Sequence, residues 1–199
     1  WSAKNIIGVK GFLERVAKVN EKTRDAWLKR IQQALKLAVP QLTELKYTTD
    51  LGYPHLEALY EHWRPGAGKQ KEDQFSDGTL RMIGLLWSLQ EGDSLLLLEE
   101  PELSLNGAIV SKLAPLIHKL QKPKKRQVIL TSHSSELLND RGISLNEIIV
   151  LEPAAEGTKV IVASDIEEVK RMLSAGMSPA SAIFPRIKPK NINQLTLEF

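Results

Sequence analysis

The chain has 199 residues, 42% hydrophobic and 26% charged, with a formal net charge of +3, which is enough apolar material for a core and too even a charge balance to mark a nucleic-acid binder by itself. It has no cysteine, which excludes disulfides and thiolate metal sites and sets the expectation of a cytoplasmic protein. No apolar run approaches the roughly 20 residues that span a bilayer, so no membrane partner is expected, and the opening Trp1-Ser2-Ala3-Lys4, without Met or a signal pattern, reads as a chain cut from something longer.

Over residues 11–39, Phe12, Val16 and Val19 and then Trp27, Leu28, Ile31, Leu35 and Ala38 recur at helical spacing. The pattern predicts two amphipathic helices, broken at Asn20-Glu21-Lys22-Thr23 and stopped by Pro40. Residues 1–40 are accordingly set apart as a helical segment from residues 41–199. Residues 42–49 and 56–63 alternate on either side of Asp50-Leu51-Gly52-Tyr53-Pro54 and predict a β-hairpin. Residues 64–73 read as a flexible polar loop. Within it, Gly66-Ala67-Gly68-Lys69 fails the phosphate-loop pattern G-x-x-x-x-G-K-[ST], because Trp63 stands at the first Gly and Gln70 at the Ser or Thr.

Phe75-Ser76-Asp77-Gly78-Thr79 opens an apolar segment, 83–89, that predicts a mostly buried helix with Ser76 as N-cap. A helix start with a hydroxyl, a glycine and free N–H groups attracts anions, although a capped helix alone explains the same residues. Leu95-Leu96-Leu97-Leu98 then runs into Glu99-Glu100-Pro101-Glu102. Such a short unbroken apolar run predicts a strand covered on both faces, as in a parallel sheet. Its carboxyl end is the edge where ligands bind in α/β sheets. Alternation sends Glu99 and Glu100 to opposite sides, so one carboxylate can face a metal and the other a water. Ordinary surface acids at a strand end are the plain alternative.

Farther on, Ile109, Val110, Leu113, Leu116, Ile117 and Leu120 form a helical stripe with a kink expected at Pro115. Lys122-Pro123-Lys124-Lys125-Arg126 is a basic turn, a solvated face or a contact for a phosphate backbone. Residues 127–131 predict a second buried strand ending in Ser132-His133-Ser134, with the histidine on the sheet edge of Glu99 and Glu100. Strands are expected at 147–151 and 159–163 around a turn at 153–157, short helices at 165–173 and 179–184, and a polar, irregular tail. His55, His62 and His118 are scattered and read as packing or surface residues.

These motifs share one order. The sequence resembles the C-terminal half of an ABC-type ATPase head of the SMC, RecF and OLD-like branch over about residues 70–165. The resemblance rests on Phe75-Ser76-Asp77-Gly78-Thr79 as signature motif, residues 95–100 as Walker B with its adjoining acid, residues 101–106 as D-loop, and Thr131-Ser132-His133-Ser134 as switch-histidine loop. It implies an α/β, P-loop NTPase-like fold: the C-terminal lobe of the head, with a largely parallel sheet, preceded by the helical segment. It also implies ATP and Mg²⁺ as cofactors. Glu99 would assist Mg²⁺ through its water shell, Glu100 would be the general base, and His133 would sense the γ-phosphate. Ser76, Asp77, Gly78 and Thr79 would contact nucleotide held by a second protomer, and Ser104 and Asn106 would belong to the D-loop.

Against the broad family pattern, Glu99 stands for the usual Asp, Asp77 for a transporter Gly, and Asn106 for a D-loop Asp. No Walker A loop occurs in these residues, so the expected partner is an N-terminal lobe that carries one, and the expected assembly is a homodimer through ATP-bound heads. DNA and a Toprim-type nuclease are the further partners the resemblance implies, with DNA repair or phage defence as the setting. Two other readings compete: an ATP-independent scaffold for DNA or a nuclease, and a metal-dependent nuclease using Glu99, Glu100 and Glu102.

Overall fold

The computed structural model describes residues 6–64 and 68–188. The expectations for Gly66, Ala67 and the tail from residue 189 onward lie outside them. The chain divides into two compact units, residues 1–109 with 117–131, and residues 110–116 with 132–199.

In the first unit, α1 (Ile6–Lys18) and α2 (Glu21–Leu35) follow the predicted periodicity. The break falls at Asn20, whose Oδ1 accepts from the Thr23 N–H at 3.0 Å and caps α2. Leu28, Ile31 and Leu35 point from α2 into the core. The hairpin is β1 (Leu42–Asp50) with β2 (Tyr53–Tyr60), antiparallel, turning at Leu51 and Gly52, both with positive φ. The flexible loop expected over residues 64–73 is corrected in its second half. Lys69–Lys71 form β3, antiparallel to β2, and Glu72–Gln74 a single 3₁₀ turn. Gly68 approaches the Tyr60 carbonyl so closely that no Cβ fits between them. The buried Glu72 carboxylate fastens the turn, accepting from the Leu56 N–H at 2.9 Å and meeting His55 Nδ1 at 2.8 Å.

The predicted buried helix is α3 (Asp77–Gln90). Trp87, with no solvent exposure, is packed edge-on against Trp27 and Phe12 at ring distances of 5.0 and 6.0 Å. Two residues of the basic turn cap its far end. Arg126 Nη1 donates to the carbonyls of Ser88 and Glu91 at 2.8 and 2.9 Å, and Lys124 Nζ to Gly92 at 2.9 Å and to Gln90. Cations there answer the unpaired carbonyls and negative dipole end of a helix. For these two side chains the phosphate-backbone contact is therefore replaced by an internal one.

β4 (Leu96–Glu99) and β5 (Val128–Thr131) form a parallel pair in the register Leu96–Val128, Leu97–Ile129, Leu98–Leu130, Glu99–Thr131. Among the described residues, cover is present on one face only. Leu96, Leu98, Val128 and Leu130 are half-buried, but Leu97 is 67% exposed, Leu95 51% and Ile129 46%. Two short helices, α4 (Gly107–Val110) and α5 (Leu113–Gln121), replace the kinked helix. Pro115 sits in the first turn of α5, where a missing N–H breaks no helical bond.

The second unit contains α6 (Ser135–Leu138), the antiparallel hairpin β6 (Ile149–Ala154) and β7 (Gly157–Val162), α7 (Glu167–Ser174) and α8 (Pro179–Ile187). Its core joins Ile148, Val150, Ala163, Ile166, Val169, Ala182 and Ile183. The strands are shifted a few residues from the predicted ranges, because β6 runs through Pro153 and the turn shrinks to Ala155 and Glu156. Asn139 Oδ1 accepts from the Ala180 N–H at 3.0 Å, beside the Ser178 cap of α8.

Candidate functional site

Ser76 holds the extended conformation of an N-cap, with φ −65° and ψ 154°. Its Oγ accepts from the Thr79 N–H at 3.2 Å and lies 2.9 Å from Thr79 Oγ1. The hydroxyl is thus tied down as a cap, and the first-turn N–H groups of α3, with the positive end of the helix dipole, are what an anion would meet. Thr79 is buried and Ser76 is exposed, so the start of α3 is anchored on one side and open on the other.

Gly78 is set against residues 104 and 105, in the segment expected to be the D-loop. A Cβ built on it would fall 2.7 Å from the Ser104 carbonyl oxygen and 3.7 Å from Leu105 Cδ2. The loop that delivers this carbonyl is tightly wound. Leu103 N–H donates to the Glu100 carbonyl at 3.1 Å and Leu105 N–H to the Glu102 carbonyl at 3.0 Å, while Ser104 has φ 64°. Asn106 Oδ1 accepts from the Ala108 N–H at 2.9 Å and caps α4.

Glu99 and Glu100 are handled differently from the expectation. Glu99 is the last residue of β4, exposed, on the same face as Leu97 and paired with Thr131. Strand alternation stops there. Glu100 has φ 41°, a left-handed conformation unusual outside glycine, and its N–H is shared by the Thr131 carbonyl at 3.1 Å and Thr131 Oγ1 at 3.2 Å. The two acids are therefore separated by a turn of the backbone rather than by the pleat. Thr131 is the residue that sequence reasoning assigned no role of its own. The Thr131-Ser132-His133-Ser134 motif was the available signal.

His133 is exposed and belongs to the second unit, in the connection from Thr131 to α6. Ser134 shapes that connection, its N–H donating to Ser132 Oγ at 3.0 Å and its Oγ accepting from the Leu137 N–H at 3.3 Å.

No group of three or more His, Asp or Glu side chains close enough to hold a metal occurs among the described residues. Glu102, proposed as a third nuclease ligand, is buried. Glu99 and Glu100 at the end of β4 are carboxylates of the kind that Mg²⁺ takes alongside waters and substrate phosphates, and they do not make a closed metal site.

Residues 5–139 match the family described as "AAA domain, putative AbiEii toxin, Type IV TA system". No curated protein matches the chain. Among solved structures it is similar to one reported under "Structural biochemistry of ATP-driven dimerization and DNA stimulated activation of SMC ATPases", with TM-score 0.54 and 16% identity over 79% of this chain and 95% of that one. It is also similar to the Smc head domain of Pyrococcus furiosus with an extended coiled coil, bound to the C-terminal domain of ScpA (TM-score 0.53, 15% identity, 77% of this chain, 38% of that one). A third is an SmcHead bound to the C-winged helix domain of ScpA (TM-score 0.52, 18% identity, 68% and 41%). The chain spans nearly all of the first and less than half of the other two. No helix among the described residues is long and apolar enough to cross a membrane. The chain belongs to this AAA-domain family, and its fold is that of ABC- and SMC-like ATPase heads.

Proposed function

We propose that this chain is the signature-motif lobe of an ATPase head that hydrolyses ATP after joining a lobe that carries the phosphate loop. The observation that carries this reading is the uncovered face of the parallel pair. Leu95, Leu97 and Ile129 are exposed on it, and Glu99 stands at its carboxyl end. Parallel sheets are stable with both faces covered, and covering these side chains would contribute roughly 1 to 2 kcal/mol each. A lobe docked there would bring its phosphate loop to the edge where Glu99 waits.

In the joined site, Mg²⁺ when bound would neutralise charge on the transferring phosphoryl group, and Glu99 is the residue that would help to hold it. Glu100 accepts the proton of the attacking water, a task worth roughly 10²- to 10⁴-fold in rate. The start of α3, Ser76 to Thr79, meets the phosphates of a nucleotide held by a second head through first-turn N–H groups other than that of Thr79, which Ser76 Oγ holds, with Ser104 and Asn106 shaping the adjoining loop. His133 contacts the γ-phosphate. Two heads thus close on ATP as a homodimer. We place the activity in DNA repair or phage defence, with DNA and a nuclease as partners. Support for dimerisation and DNA comes from the similarity to SMC ATPases described by ATP-driven dimerisation and DNA stimulation.

Calorimetric titration of Mg-ATP into residues 1–199 and into the complete head tests the reading. The short form is expected to show no measurable binding and the complete head tight binding. Tight binding by residues 1–199 would refute the half-site reading, and none by either form would favour an ATP-independent scaffold.

A further inference from the structure

We propose that Thr131 is the positioning residue of Glu100, and that its side-chain hydroxyl, beyond its backbone, keeps the base in place. The inference rests on the reading of Glu100 as the base. Glu100 is one of four described non-glycine residues with positive φ, at 41°. A left-handed acid persists only where neighbours over-determine it. Its carbonyl is held by the Leu103 N–H at 3.1 Å and its N–H by two oxygens of one residue, Thr131 O and Thr131 Oγ1, at 3.1 and 3.2 Å.

The carbonyl oxygen is present whichever residue stands at 131. The hydroxyl is what the side chain adds. Thr131 is exposed at the end of β5, where β-branched residues without a hydroxyl suit a strand as well, so strand formation alone does not call for threonine. The bond spans the parallel pair at its carboxyl edge, where Glu99 is opposite Thr131. Thr131 thereby sets where the chain leaves β4 and how the backbone of Glu100 is presented to the water it activates.

The experiment compares Thr131→Val and Thr131→Ser in the complete head, alone and combined with Glu100→Gln, by single-turnover hydrolysis, Mg-ATP affinity and melting temperature. Valine keeps the branched shape and loses the oxygen, whereas serine keeps the oxygen. Thr131→Val is expected to slow hydrolysis about tenfold or more, since small misplacement of a reacting group is costly. Its Mg-ATP affinity should stay within about twofold, the signature of an effect confined to the chemical step. Thr131→Ser should restore most of the rate. In the Glu100→Gln background, Thr131→Val should add no further loss, because the two residues act as one unit.

A parental rate for Thr131→Val overturns the proposal. So does an undiminished loss in the Gln background, which would put the hydroxyl to work elsewhere, or a loss of rate that tracks a fall in melting temperature across Thr131→Val and Thr131→Ser, which is what a merely structural hydroxyl gives. Failure of the underlying reading is separate: it appears as Glu100→Gln hydrolysing at the parental rate, whatever residue 131 is.

Discussion

Gly78 leaves room for the Ser104 carbonyl: the methyl group it lacks would lie 2.7 Å from that oxygen. A backbone oxygen cannot swing aside like the end of a flexible side chain, so Gly78→Ala must displace either the start of α3 or the loop that Ser104 belongs to, itself wound through φ 64°. Overpacking of this kind costs about 1 to 3 kcal/mol. Residues 1–199 carrying Gly78→Ala should therefore unfold at lower urea than the parent. An unchanged midpoint would show that the two segments do not meet this closely.

Capping and phosphate contact make different demands on Ser76. Ser76→Ala removes the acceptor of the Thr79 N–H and should destabilise the chain by about 1 kcal/mol. Ser76→Asp preserves a cap but sets a negative charge at the helix start. In the complete head it should keep the melting temperature while abolishing ATP-dependent dimers in light scattering. Normal dimers with Ser76→Asp would leave Ser76 as a cap and nothing more.

Local order was legible wherever one residue type decides it. Asn20 and Ser76 mark the starts of α2 and α3, and the apolar runs mark β4 and β5. What stayed hidden depends on partners far along the chain. Arg126 reads as part of a solvated basic turn until the carbonyls of Ser88 and Glu91 come within reach of it. Lys69 to Lys71 look like loop because three polar residues gain strand geometry only by pairing with β2. The four leucines suggested cover on both faces, yet the described residues cover one. At the candidate site, the acids and their edge of the sheet were readable, whereas the left-handed turn at Glu100 was not, since glutamate carries no preference for it.

Arg126→Met offers a check on the basic turn. The guanidinium serves three carbonyls, those of Ser88, Glu91 and Ser94, and hydrogen bonds from a charged donor each contribute about 1.5 to 3 kcal/mol. Because the side chain is half-buried and partly screened, a loss of about 2 kcal/mol in urea titration is expected. If the complete protein binds DNA, the slope of log affinity against log salt should change by much less than about 1. Full stability with a slope lower by about 1 would mean that Arg126 serves a phosphate instead.

Acid should loosen the hairpin. The Lys71 ammonium, hydrogen-bonded to Asp50, holds that carboxyl below its ordinary 3.8, and Lys46 holds Glu57 below its ordinary 4.5. Carboxyls depressed in the folded state contribute stability that is whole above their unfolded values and is lost as the pH falls through the folded ones. Melting temperatures from neutral to about pH 3 should therefore fall along an acid limb that Asp50→Asn with Glu57→Gln flattens. An acid limb of the same slope in the double variant would remove these pairs from the explanation.

The most direct measurement is single-turnover ATP hydrolysis by the complete head carrying Glu100→Gln, read beside Glu99→Gln across a range of Mg²⁺ concentrations. Glutamine keeps the size and hydrogen bonding of Glu100 and removes the base. Glu100→Gln should bind Mg-ATP normally, hydrolyse it roughly 10²-fold or more slowly, and accumulate as an ATP-bound dimer on sizing chromatography. Glu99→Gln should chiefly raise the Mg²⁺ concentration required. Hydrolysis at the parental rate by Glu100→Gln, or a trapped dimer with Glu99→Gln alone, would contradict the roles assigned to the two acids at the end of β4.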